Sequence, residues 1–240
     1  MSTDTKHSKS GKETNGLKAT KPKRTVKFTK TMKPSAIDVD ESTLDPSIEI
    51  ETRPFPPYLP ENATVMLMGT FPPKSEKRVM EFHYPNFQND MWRVYGLVFF
   101  DDKDHFRKGE KKAFDPEKIK AFLSERGIAS CPTVVRAIRE KGNASDAFLK
   151  VVEPVHLDEV LATIPNCKHI ATTGGKATEV LLGLLPEKVK LPKTGETISY
   201  NYKCHELTLT RLPSTSRAFP MSLINKASAY RAFFEMAGVI

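Results

Sequence analysis

The stretch that decides the fold class covers residues 168–184 and reads KHIATTGGKATEVLLGL. Residues 168–172 suit a short buried strand, and apolar side chains then recur at helical spacing from Ala177 to Leu184. The turn between them holds Gly174 and Gly175. A strand that runs through a glycine turn directly into a helix is typical of a parallel sheet that is covered by helices on both sides.

Other segments of the chain repeat this pattern of strand, loop and helix. Residues 64–68 form a short apolar run that ends at Gly69, and residues 206–210 alternate as a strand should before a Pro-Ser-Thr-Ser loop. Patterns typical of helices follow at residues 91–99, 116–127, 157–164 and 223–237. Because the carboxyl ends of parallel strands meet at one edge of a sheet, we expect loops 69–75, 173–176 and 212–217 to converge there.

Charge divides the chain into unequal parts. Residues 1–34 hold ten Lys or Arg and two acidic residues, and residues 35–51 hold six acidic residues and no Lys or Arg. The first part has too few apolar residues to offset the entropy of ordering the chain. We therefore predict a disordered, basic-then-acidic tail over residues 1–51 and a folded domain over residues 52–240. The tail is either a solvated extension or a non-specific tether for phosphates.

Several classes of protein do not fit the composition. No window approaches the roughly 18 apolar residues that a membrane helix requires, and the amino terminus lacks the apolar core of a signal peptide. The three cysteines lie far apart, without a Cys-x-x-Cys pair, which argues against an iron–sulfur cluster or a zinc ribbon. We expect a protein that is not secreted, is cytoplasmic and nucleoid-associated, and has no membrane partner.

Three separate segments carry recognisable motifs. They are GTFPP at residues 69–73, FHYPNFQNDMW at 82–92 and LPSTSRA at 212–218. The first resembles a strand-ending Gly-x-Asn/Asp-Pro-x loop and the third a Leu-Pro-Ser-x-Ser-x-Ala loop. In this order they resemble the signatures of the uracil-DNA glycosylase superfamily. The middle segment is similar to the Tyr-Tyr-x-x-Pro-x-Asn-x-Phe-Trp stretch of its mismatch-specific and hypoxanthine-removing branches.

The resemblance implies both a fold and an activity. The fold would be α/β, a three-layer α/β/α sandwich with a central, mainly parallel sheet of four strands. The activity would be that of a monofunctional base-excision repair glycosylase, which hydrolyses the N-glycosidic bond of a flipped uracil or hypoxanthine. Its partner would be DNA with a damaged or mismatched base, and we expect a monomer without cofactor, metal or iron–sulfur cluster.

The resemblance also assigns a base-binding pocket to Gly69, Thr70, Phe71, Tyr84 and Asn89. Tyr84 matches the aromatic residue that stacks on the base, a contact that contributes about 1–3 kcal/mol; the alternative is an ordinary core tyrosine. Asn89 is the candidate catalytic residue, because an amide can hydrogen-bond a base edge or orient water. An asparagine at this place could equally cap the following helix.

DNA-backbone contacts are expected from residues at loop ends, where small side chains and free backbone N–H groups suit phosphates. They are Pro72, Pro73, Ser75, Gly174, Lys176, Ser214, Thr215, Ser216 and Arg217.

Phe71 departs from the pattern. Relatives commonly carry Asn or Asp at this place, where it orients the attacking water, whereas a phenyl ring has no lone pair. Phe71 then packs the pocket wall, and catalysis relies on stabilising the leaving group. Alternatively, the domain is a non-catalytic DNA-binding module in which Phe71 marks lost water activation. His83 is the nearest histidine to the pocket, and a lone histidine is more often structural.

Overall fold

The computed structural model describes residues 1–2, 36–140, 146–186, 188–203 and 205–240. The strands are β1 (Glu51–Thr52), β2 (Val65–Met68), β3 (Ile128–Ser130), β4 (Val134–Arg139), β5 (Leu149–Pro154), β6 (His169–Thr173), β7 (Thr197–Tyr202) and β8 (His205–Leu212). The α-helices are α1 (Met91–Phe100), α2 (Pro116–Glu125), α3 (Leu157–Thr163), α4 (Gly175–Gly183) and α5 (Leu223–Met236). None of the helices in the described part of the chain is long and apolar enough to cross a membrane.

The main sheet has five strands in the order β3-β2-β6-β8-β7. The first four run parallel, and β7 pairs antiparallel with β8 at the edge. The mainly parallel sheet is therefore as expected, but the predicted number of four strands is wrong. The additional strand buries Tyr200 and Tyr202 against the same core as α3 and α4, which holds it on the sheet.

Alternation along β2 separates two cores. Val65 and Leu67 face the core formed with α1, α2 and α5, whereas Met66 and Met68 face the core formed with α3 and α4. Successive side chains of a strand point to opposite faces, so a fully apolar strand must be covered on both sides. The result is the predicted three-layer arrangement, with the sheet in the middle.

Local signals fix where the helices begin and end. The Asp115 carboxylate accepts the N–H groups of Glu117 and Lys118, and Pro116 occupies the first position of α2. Gly127 stops this helix at φ 61°, a left-handed conformation that favours glycine. Ser222 caps α5 by accepting the N–H of Asn225.

A smaller antiparallel sheet, with the strand order β1-β4-β5, lies beside the main one. Its core contains Val134, Ala137, Leu149 and Val151, and Val180 of α4 packs on it. Pro132 lies between β3 and β4, and these two strands belong to different sheets.

The acidic segment at residues 36–51 differs from the prediction of a disordered tail. Asp38 accepts the N–H of Val151 and pairs with Lys176, with Nζ 2.7 Å from its carboxylate. The Glu41 carboxylate makes a two-pronged ion pair with Arg136, and Glu51 lies in β1. Opposite charges on β4 and α4 thus hold this segment against the domain. The basic part of the predicted tail, residues 3–35, lies outside the described residues.

Candidate active site

A cavity of about 530 Å³ opens at the carboxyl ends of β2, β6 and β8. Most of its wall comes from three distant parts of the chain, namely residues 69–73, 83–86 with 88–89, and 214–218. The wall is completed by Phe55, Ser130, Pro132, Asp146 and Thr173. The volume lies within the range of about 300–1,000 Å³ that is usual for small-molecule sites. The predicted convergence of these loops is therefore observed in the structure.

Most of the residues that we expected at the site line this cavity. They are Gly69, Thr70, Phe71, Pro72, Pro73, Tyr84, Asn89, Ser214, Thr215, Ser216 and Arg217. Ser75, Gly174 and Lys176 do not line it. Gly174 lies behind the rim, where a Cβ on it would be 3.5 Å from the Ser214 side chain, and the Lys176 ammonium is paired with Asp38.

Gly69 and Tyr84 meet at the base of the cavity. A Cβ on Gly69 would lie 2.8 Å from the Tyr84 hydroxyl oxygen, so this approach requires glycine. Tyr84 adopts φ 50°, which is rare for a bulky residue and is of the kind found at ligand sites. Its hydroxyl lies 3.1 Å from Thr173 Oγ1, and burial raises its pKa well above the usual value. The ring is therefore a neutral, fixed wall.

Phe71 has packing contacts that fit a structural role in the pocket wall. Its ring packs on the core of the small sheet, and the Arg139 guanidinium lies 5.2 Å from the ring centroid. Arg139 also donates to the Pro72 carbonyl and pairs with Glu51, with Nε 2.9 Å from the carboxylate. The loop after β2 is thus anchored to the small sheet, and Phe71 forms part of the pocket wall.

Asn89 lines the cavity, but it is not the N-cap of α1, because Asp90 occupies that position. The Asn89 Oδ1 accepts the N–H of Met91, the first residue of α1, at 2.9 Å. Because the Asn89 side-chain oxygen already accepts the Met91 N–H, the amide N–H₂ is the group available to bind a ligand. Asn89 can therefore donate a hydrogen bond to a carbonyl oxygen inside the cavity.

A buried ion pair fixes the loop at residues 213–217. The Lys226 ammonium, on a side chain that is 1% exposed, lies 3.0 Å from the Asp90 carboxylate and 2.8 Å from the Ser216 carbonyl. The Asp90 N–H donates to the Thr215 carbonyl at 2.9 Å, and Arg217 Nε lies 3.2 Å from the same carboxylate. These contacts tie the loop to the amino end of α1. Sequence reasoning missed Lys226, although it stands among the apolar positions of α5.

His83 is structural rather than catalytic. Its Nε2 lies 2.9 Å from the Pro56 carbonyl, which can only accept, so Nε2 carries the proton. Nδ1 then accepts from the Ser130 hydroxyl at 2.7 Å. Burial lowers the pKa of His83 to about 4, so the ring is neutral near pH 7.

Asp146 also lines the cavity, and no sequence pattern singled it out. Its carboxylate accepts a hydrogen bond from the Thr70 hydroxyl at 2.9 Å. The residue comes directly after residues 141–145, which lie outside the described part of the chain, and precedes β5. No motif surrounds it in the sequence, so only the three-dimensional structure brings it to the site.

Comparison with known proteins supports the fold. No protein-family model and no curated protein matches the chain. Among solved structures, the chain is similar to the solution NMR structure of a putative uracil DNA glycosylase from Methanosarcina acetivorans. The two share 23% sequence identity, with a TM-score of 0.54, over 79% of this chain and 99% of that chain. The chain therefore has the α/β fold of that structure.

Proposed function

We propose that this protein is a monofunctional DNA glycosylase of the uracil-DNA glycosylase superfamily, which hydrolyses the N-glycosidic bond of a flipped uracil or hypoxanthine. One observation carries the proposal. Three segments that resemble the superfamily's motifs, distant in the sequence, surround a single cavity with Tyr84 in its wall. The shared fold is consistent with this function, but a fold by itself does not imply an activity.

The pocket suits a planar base with a carbonyl group. Tyr84 offers a rigid aromatic surface for stacking, because its hydroxyl is held by Thr173 and its backbone by the turn. The Asn89 amide can donate to the carbonyl oxygen that uracil and hypoxanthine share. Such a hydrogen bond strengthens as the base departs with negative charge, so Asn89 would stabilise the leaving group.

In this proposal, the loop at residues 213–217 binds the DNA backbone. The ion pair between Asp90 and Lys226 and the hydrogen bond from Tyr230 to the Pro213 carbonyl, at 3.1 Å, hold this loop in one conformation. A preorganised loop can approach phosphates on either side of a flipped nucleotide with the hydroxyl groups of Ser214 and Ser216, whereas Thr215 is 2% exposed and is not available for this contact. Arg217, with 48% of its side chain exposed, adds positive charge at the rim.

Strand cleavage through a Schiff base is not expected. Among the described residues that line the cavity there is no lysine, and Lys226 is buried against Asp90. A covalent imine requires an unprotonated amine that reaches C1′ of the sugar. Water is therefore the nucleophile in this proposal, and the product is an intact strand with an abasic site.

The test uses oligonucleotides that carry uracil, hypoxanthine or a mismatch. They are incubated with the protein, treated with alkali and examined for strand breaks. Breaks at the modified base, reduced at least about 100-fold in Asn89→Ala, support the proposal, because one such donor can contribute about 10²–10³ in rate. Asn201→Ala, on the exposed face of β7, is the matched control and should retain full activity.

Two outcomes would contradict the proposal. If every substrate migrates more slowly in a gel because the protein binds it, yet none is broken, the result favours a non-catalytic DNA-binding module on the same scaffold. Binding of a free nucleotide without retention of DNA favours an unrelated nucleotide-binding enzyme. Because the Asn89 side chain accepts the N–H of Met91 at the start of α1, its variant must first be shown to be folded at the assay temperature.

A further inference from the structure

We propose that Asp146 is the catalytic residue that accepts the proton of the attacking water. This inference rests on the proposed function and concerns a step for which the motif residues offer no group. Phe71 has no lone pair, both ring nitrogens of His83 are engaged, and the Asn89 oxygen serves α1. Asp146 is the one carboxylate among the described residues that line the cavity.

The position of the carboxylate fits this role. Its hydrogen bond from Thr70 holds it next to Gly69 and Phe71, at the end of β2. The carboxylate also lies near the Tyr84 hydroxyl. Burial raises the pKa of Tyr84, and the negative charge of Asp146 raises it further. A carboxylate has about four lone-pair sites, so the bond from Thr70 leaves capacity for water. The proton acceptor thus comes from the segment before β5 rather than from the loop that carries the motif.

The surroundings tune the carboxyl group as a base. Asp146 is exposed as a residue, but its carboxylate lines the cavity and contacts Thr70. Desolvation there raises the pKa of Asp146, whereas the Thr70 hydroxyl and the charges of Arg139 and Lys176 lower it, and the net direction is upward. Arg139 comes from β4 and Lys176 from α4, and the neutral Tyr84 faces the group from the loop after β2. A carboxylate with a raised pKa accepts a proton more readily near neutral pH than an ordinary one.

The proposed step is a balanced hydrolysis. The bond between C1′ and the base nitrogen breaks, and its electron pair leaves with the base, whose developing charge Asn89 stabilises. The water oxygen forms a bond to C1′, and one water proton passes to the Asp146 carboxylate. Solvent later removes that proton and protonates the base. Thr70 is a positioning residue in this scheme, because it acts through the carboxylate.

Single-turnover rates of the full chain test the proposal, on whichever substrate the wild-type protein cleaves. Asp146→Asn keeps the size of the side chain and a hydrogen-bond acceptor but cannot take a proton. We expect it to lower the rate by about 10²–10⁴-fold, the usual contribution of a general base. Asp104→Asn, an exposed residue away from the cavity, makes the same change of charge and should have the wild-type rate.

The dependence of the rate on pH gives a second readout. In the wild-type protein the rate should fall as pH falls through the raised pKa of Asp146, because the protonated acid cannot act as a base. This acid limb should be absent from Asp146→Asn. Thr70→Val should lower the rate and move the limb to higher pH, since the bond that lowers the pKa is lost, and Thr70→Ser should restore both.

Each result decides between the alternatives. An Asp146→Asn variant that keeps more than about a tenth of the wild-type rate, or keeps the acid limb, overturns the role of Asp146 while the glycosylase function stands. A change in KM alone would mean that Asp146 contacts the base and does not activate water, which also overturns it. If the wild-type protein cleaves none of the substrates, both proposals are wrong.

Discussion

Replacing Lys226 by methionine should be among the most damaging single substitutions in the domain. Its ammonium is 1% exposed and compensates the Asp90 carboxylate, which belongs to a residue that is 7% exposed. Methionine fills a similar volume, so the main effect is a buried carboxylate that has lost its best partner. Removing one member of a buried ion pair costs about 3–5 kcal/mol. Arg217 compensates little, because its guanidinium is about half exposed and such pairs contribute about 0–1 kcal/mol.

Urea unfolding and thermal melting measure this cost. A loss of 3–5 kcal/mol corresponds to a fall in Tm of about 6–20 °C in a domain of this size. The double variant Asp90→Asn/Lys226→Met removes both charges and should recover most of the loss, whereas the exposed Lys190→Met should change stability by less than about 0.5 kcal/mol. A cost of Lys226→Met below about 1 kcal/mol, or a double variant less stable than Lys226→Met, would refute the reasoning.

Three further predictions concern the pocket and its support. Gly69→Ala should slow base excision about tenfold or more, because its Cβ would lie 2.8 Å from the tyrosine hydroxyl, and adding Tyr84→Phe should restore part of the single-turnover rate. The free energy of unfolding should fall by up to about 3 kcal/mol between pH 7 and pH 4. The reason is that His83 takes up a proton below pH 6.5 in the unfolded chain but only below about 4 in the folded chain. Urea titrations of His83→Gln should lack this contribution. Deleting residues 1–35 should leave Tm unchanged, whereas deleting residues 1–52 should lower it, since the second deletion removes the carboxylate that pairs with Arg139; equal melting temperatures would contradict this.

The main elements could be predicted because their signals are local. The apolar run of β2, the glycine turn after β6 and the apolar face of α5 each reveal themselves within about ten residues of sequence. The parallel arrangement then follows from the alternation of strands and helices. For the same reason the loops after three strands could be expected at one edge of the sheet, and the structure brings them to one cavity.

The small sheet and the acidic segment depend on contacts between distant residues. β4 contains two arginines, so its sequence lacks the apolar run that marked β2, and its pairing with β1 joins residues that are more than 80 positions apart. Composition alone predicted a disordered tail over residues 36–51. It could not reveal that Arg136, Arg139 and Lys176 lie on the surface that these acidic residues reach.

Sequence reasoning also missed two charged residues, one that lines the cavity and one that supports its rim. Asp146 is the exposed first residue of a short 3-10 helix (Asp146–Phe148), and only the fold places its carboxylate against Thr70. Lys226 did leave a signal, because it lies four residues before Tyr230 on the apolar face of α5, where a charged residue is rarely fully buried unless paired. A charge in such a position predicts a buried partner but does not identify it.

The attachment of the loop at residues 213–217 to α5 has a consequence for how the protein is made. Lys226 and Tyr230 hold the carbonyls of Ser216 and Pro213, so the rim of the pocket is incomplete until this helix has docked. A nascent chain on the ribosome can form β2, β6 and β8 before α5 emerges, yet it cannot assemble the site. The cavity described above is therefore completed only after α5 has been synthesised and has docked.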